Sequence, residues 1–152
     1  MDCSQLVAPD DGGCGSCPEA AAARILCLRL GMSEEVVHRL MRRVAIQDTE
    51  GKEAKEGGER EVWILKRDSR FKYLLTQFNK EHRLSWLTVV AHPRRVRYSH
   101  VASLKLATKA TDGSNHSYKW KVEASKQQPA LLIIARGSRP EFLTSYSVYL
   151  GR

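Results

Sequence analysis

Apolar residues recur along the chain with two different periods, and the change between them predicts the elements. Residues 19–31, EAAAARILCLRLG, combine strong helix formers with apolar Ile25, Leu26, Leu28 and Leu30. With Pro18 ahead and Gly31 behind, they predict a first helix. Ser33 is placed to cap a second, where Glu34 and Glu35 suit the positive end and Val37, Met41 and Val44 repeat near helical spacing. Residues 48–60, DTEGKEAKEGGER, have no apolar face to bury and predict a charged linker. Val62-Trp63-Ile64-Leu65 then predicts a buried strand. Asp68 or Ser69 caps a further helix, whose Phe71, Leu74, Leu75 and Phe78 fall at i, i+3, i+4 and i+7, the clearest helical face in the chain.

Strand-like segments follow at 86–91, 96–108, 118–124, 131–135 and 144–150. They are separated by Asp112-Gly113-Ser114-Asn115, by Pro129 and by Gly137-Ser138-Arg139-Pro140. The expected fold is α+β: two N-terminal helices, a charged linker, then a strand, a helix and a mainly antiparallel sheet of about five strands. Its divisions are a Gly- and Pro-bearing flexible tail (1–18), a helical hairpin (19–47), the linker (48–60) and a basic α+β domain (61–152).

Charge sharpens this division. The net charge of +8 separates into 8 Lys or Arg against 12 Asp or Glu in residues 1–61, and 17 against 5 in residues 62–152. A basic body behind an acidic front is suited to a polyanionic partner. No apolar run approaches the roughly 20 residues that a membrane-spanning helix needs. The N-terminus has neither the basic start nor the apolar stretch of a secretory signal, so a cytoplasmic or nuclear location with no membrane partner is expected.

The candidate chemistry follows the charge. His92-Pro93-Arg94-Arg95-Val96-Arg97-Tyr98 puts three arginines within four residues, and arginine forks match phosphate oxygens. On Tyr118-Lys119-Trp120-Lys121-Val122, alternation sends the rings to one face and the lysines to the other. Exposed rings would stack on bases; buried rings would leave the lysines outward for phosphates. The function expected is a nucleic-acid-binding accessory protein, RNA favoured, using Arg94, Arg95, Arg97, Tyr98, Lys119, Trp120 and Lys121. A protein partner through residues 19–47 is the adaptor alternative. Arg39, Arg42 and Arg43 on the second helix also fit the reading helix of a helix-turn-helix.

All four cysteines, Cys3, Cys14, Cys17 and Cys27, lie in the first 27 residues. Cys14-x-x-Cys17 is half of a zinc site that Cys3 and Cys27 would complete, but with only one close pair no metal or other cofactor is assigned. His38 reads as a surface or partly packed residue. Gly12-Gly13-Cys14-Gly15-Ser16-Cys17 resembles the nucleophile box of papain-like cysteine peptidases, with Cys17 at the nucleophile position. Pro18 stands where that family has an aromatic residue, and Asp11 where it has the oxyanion-hole glutamine. Asp11-Gly12-Gly13-Cys14 is similar to the start of ovarian-tumour-type deubiquitinases. The papain resemblance implies a small cysteine peptidase as the enzymatic alternative, with His92, His100 or His116 as base and His116, beside Asn115, preferred.

Overall fold

Among the described residues, regular structure is mostly β. The structure, a computed structural model, describes residues 28–55, 58–126 and 129–151, and within 48–59 the backbone alone. Eight strands form one antiparallel sheet in the order β1-β2-β3-β4-β8-β7-β6-β5. These are β1 (Ala45–Lys55), β2 (Gly58–Leu65), β3 (Phe71–Phe78), β4 (Leu84–Ala91), β5 (Thr108–Asp112), β6 (Asn115–Val122), β7 (Leu131–Gly137) and β8 (Ser145–Leu150). Two four-stranded meanders, β1–β4 and β5–β8, are joined where β8 pairs with β4.

The expected α+β fold with about five strands is therefore corrected at three places. First, the helical hairpin is not there in the described residues. Residues 19–27 of its first helix lie outside them, and 28–31 are non-helical, turning at Gly31 with φ +95°. The second helix does form, as α1 (Glu34–Val44). Ser33 Oγ accepts from Val36 N–H, Glu34 and Glu35 sit in the first turn, and Arg42 and Arg43 in the last. Second, the charged linker is strand: residues 45–48 pair with 62–65, and after an irregularity Glu53, Ala54 and Lys55 pair with Arg60, Glu59 and Gly58. An edge strand satisfies its backbone on one neighbour and needs no apolar face of its own. The expected boundary at residue 61 falls inside β2.

Third, the clearest helical periodicity belongs to β3. Its register slips between Phe71 and Tyr73, so Phe71 and Leu74 both face inward with Thr76 and Phe78, while Leu75 faces outward. The bulge turns a period of two into an apparent i, i+3, i+4, i+7. Asp68, expected to cap a helix, instead opens a strand, its Oδ1 accepting from the N–H groups of Arg70 and Phe71. The expected strand 96–108 is mostly a crossover: a one-turn helix α2 (Tyr98–Val101) and a 3-10 turn (Leu104–Leu106) precede β5. Strands at 86–91, 118–124, 131–135 and 144–150 are found as β4, β6, β7 and β8, with ends shifted by a few residues.

One sheet face is the core. Cross-strand rows run Trp63, Leu74, Val89, Tyr146, Ala135, Tyr118 and Thr76, Leu87, Val148, Ile133, Trp120. Val37, Leu40 and Met41 of α1 join this inner core, as do Val96, Tyr98, Val101 and Ala102 of the crossover. Burial of this continuous apolar surface, at roughly 25 cal/mol per Å², is what holds the sheet to its cover. The apolar face of α1 is spent on this core, so among the described residues the helix offers no free apolar face to an adaptor's partner.

Candidate nucleic-acid interface

Side chains on β6 divide as alternation requires, and the division decides which of them can meet a ligand. Tyr98 and Trp120, expected as stacking rings, are each 1% exposed. Trp120 Nε1 donates to Ser103 O at 2.7 Å, and Tyr98 Oη donates to Arg139 O at 3.1 Å. The Tyr98 and Tyr118 rings lie 4.7 Å apart. Burial, with a smaller contribution from Tyr118, holds the Tyr98 phenol above its ordinary pKa. Both rings are core, and neither face is open to a base. Lys119 and Lys121 point the other way and are exposed on the outer face.

The three arginines stand apart from these lysines. Arg94, Arg95 and Arg97 are exposed in the loop leaving β4, Arg94 with φ +60°. Arg97 pairs its backbone with Phe142 and lays its guanidinium 5.2 Å over that ring. This loop is stitched to two others. His92 N–H donates to Arg70 O at 2.8 Å, reaching the β2–β3 turn, and Leu143 N–H donates to Val96 O at 3.0 Å, reaching the β7–β8 loop. One end of the sheet thus gathers Lys66, Arg67, Arg70, Arg94, Arg95, Arg97 and Arg139. Asp68 and Glu141 are the acidic residues of the same three loops. Sequence reasoning missed Lys66, Arg67, Arg70 and Arg139, because only the antiparallel pairing brings their turns beside the Arg94–Arg97 loop.

The outer face holds a second group that the sequence reading missed. Trp86 and Tyr149 are cross-strand partners with ring centroids 6.3 Å apart, and both are half-buried. Arg60 covers Trp86 from the next strand but one, its guanidinium 4.7 Å from the ring centre. Burial opposes ionisation of Tyr149, yet hydrogen bonds with Trp86, Ser147 and Arg136 and the charge of Arg136 together hold its phenol below the ordinary value. Tyr73 is 41% exposed on the same face. The outward positions of β2, β3, β4, β6, β7 and β8 include Arg60, Arg136, Lys119 and Lys121 and no acidic residue.

Two clefts lie elsewhere. One of about 450 Å³ is lined by the β5–β6 turn and the β7 end, with Asp112, His116, Arg136 and Ser138. His116 Nδ1 is buried there without a hydrogen-bond partner. Cys17, its proposed partner in the peptidase reading, lies outside the described residues with Cys3, Cys14 and Cys27. The other cleft, about 490 Å³, runs along the start of α1 and the β3–β4 turn. Its lining residue His38 reaches Glu61, which is fully buried, with His38 Nε2 at 2.9 Å from both carboxylate oxygens and Gln47 Nε2 donating to Oε2 at 2.7 Å. Glu34 lies 3.8 Å from His38 Nε2 and 2.8 Å from His82 Nδ1. No helix among the described residues is long and apolar enough to cross a membrane. Comparison with protein-family models, curated proteins and solved structures finds no match in any of the three.

Proposed function

We propose that the protein binds single-stranded nucleic acid, RNA in the first place, across the outer face of its sheet and onto the basic loops at one end. The observation that carries this reading is the composition of that face: Trp86 and Tyr149 paired between Arg60 and Arg136, with Lys119 and Lys121 on a nearby strand and no acid at the outward positions of β2, β3, β4, β6, β7 and β8. Aromatic faces accept any base by stacking, and flanking cations take the phosphates. In this reading Arg94, Arg95 and Arg97 continue the phosphate track past the strand ends, with Lys66, Arg67, Arg70 and Arg139 beside them. Tyr98 and Trp120 act only by supporting the face from behind. An eight-stranded face about 34 Å wide, at roughly 4.8 Å per strand interval, does not fit a major groove of about 12 Å. Splayed single strands suit it better than duplex DNA.

The test is fluorescence anisotropy with single-stranded RNA, single-stranded DNA, duplex RNA and duplex DNA over a salt series. Single strands are expected to bind more tightly than duplexes, with affinity falling as salt rises. Lys119→Ala with Lys121→Ala, and separately Arg94→Ala, Arg95→Ala and Arg97→Ala together, should each lower the slope of log K against log salt. The reduction should be about 0.7 for every phosphate deprived of its cation. Absence of binding at low salt, or equal binding by all these variants, refutes the proposal.

A further inference from the structure

We propose that Glu34, His38 and Glu61 form a binding site for a divalent transition metal of the zinc class, open to solvent at the cleft between the start of α1 and the β3–β4 turn. Their donor atoms all lie within 4.8 Å of one another. Ligands 2.0–2.2 Å from one tetrahedral ion stand roughly 3.3 Å apart, and His38 Nε2 is already 2.9 Å from Glu61 and 3.8 Å from Glu34. An ion would enter with small side-chain shifts.

Three independent features single this cluster out from an ordinary surface pair. Glu61 is fully buried on β2, and a buried carboxylate needs a compensating positive charge. Two carboxylates and a neutral imidazole cancel the charge of a divalent ion. Each carboxylate also has an outer partner: Gln47 on β1 donates to Glu61, and His82 in the β3–β4 turn meets the second oxygen of Glu34. Such partners orient metal ligands and strengthen them. Finally, the ligands come from one helix and one strand, and the cleft, also lined by Ser33, Glu35, Arg42, Glu81 and Arg83, leaves the fourth coordination position to water or a ligand.

The experiment is titration of the full chain with Zn²⁺ by calorimetry and with Co²⁺ by visible absorption. Expected is one equivalent bound at micromolar or tighter affinity. The Tm should rise by roughly 5–10 °C at a hundredfold excess over Kd. Co²⁺ should give visible bands without the thiolate charge-transfer absorption that binding at the four cysteines would produce. Glu34→Gln, at the half-buried edge, and His38→Gln should abolish this component, and His82→Ala should weaken it about 10–100-fold. Absence of a visible Co²⁺ band, a signal with thiolate character only, or full binding in folded Glu34→Gln and His38→Gln overturns the site.

Discussion

Trp86 and Trp120 carry the same side chain on opposite faces of one sheet, so their substitution separates binding from folding. Trp120→Ala should cost about 3–5 kcal/mol, since it opens a cavity and strands the carbonyl of Ser103, while under the proposed function each folded molecule keeps its affinity for RNA. Trp86→Ala should cost about 1 kcal/mol of stability or less and about 1–3 kcal/mol of binding. Urea melts and anisotropy on the same samples check both. Gly137 makes the same point about close packing: a Cβ there would meet Tyr98 Oη at 2.5 Å and Phe142 O at 2.8 Å. Gly137→Ala should therefore destabilise by roughly 1–3 kcal/mol. The tyrosines give a pH signature. Burial, opposed by the charge of Arg70, raises the Tyr146 pKa well above its ordinary value, and burial raises Tyr98 as well. These two keep their protons in the folded chain after the unfolded chain loses them at about pH 10. Stability present below that pH is lost as pH rises above it. Tyr149 acts in the opposite sense, because its folded pKa is lowered. An alkaline spectrophotometric titration should see Tyr149 ionise first, and Tyr146→Phe should flatten the alkaline loss of stability.

At the scale of elements, local chemistry was legible where it acts within a few residues and illegible where the sheet decides. α1 was readable because its cap, its charged ends and its apolar spacing are all local. Ser33→Ala, which removes the acceptor for Val36 N–H, should accordingly cost about 1 kcal/mol in a denaturant melt. β4, β6, β7 and β8 were readable because turns bound them and one face is buried. β3 was not, because a bulge at its start and an apolar outer face at Tyr73 and Leu75 imitate a helix. β1 was not, because an edge strand of charged residues announces itself only through its partner β2. The site divided along the same line. Alternation on β6 was sufficient to put Lys119 and Lys121 on one face and Trp120 on the other, though not to say which face is buried. Pairing of Trp86 with Tyr149, 63 residues apart in the chain, carries no sequence signal at all. Neither does the meeting of His38 with Glu61, which depends on how α1 settles on the inner face beside β2.

Across the whole molecule, the question is whether two meanders with separate covers behave as one body. α1 contributes Val37, Leu40 and Met41 to the core beside the β1–β4 half, whereas the crossover contributes Tyr98 and Val101 beside the β5–β8 half, where the Tyr98 ring lies tilted against Tyr118 and Trp120 bonds to Ser103. Among the described residues only the β4–β8 pairing joins the halves within the sheet, yet it lies at the centre of the core rather than at a polar seam. Leu87 faces Val148, Val89 faces Tyr146, and Phe71 meets Tyr146 edge-on at 6.1 Å. Splitting the sheet there would expose all five side chains together, which costs more than either half can recover alone. Unfolding should therefore be a single transition, with near-ultraviolet and far-ultraviolet dichroism coincident in urea. Val148→Ala at the join should lower the midpoint by the equivalent of roughly 1.5–3 kcal/mol and leave the denaturant slope unchanged. A reduced slope or a second transition in that variant would mean that the halves fold separately, and the proposed RNA path from Trp86 across Tyr149 to Lys121 would then bridge two bodies instead of lying on one rigid face.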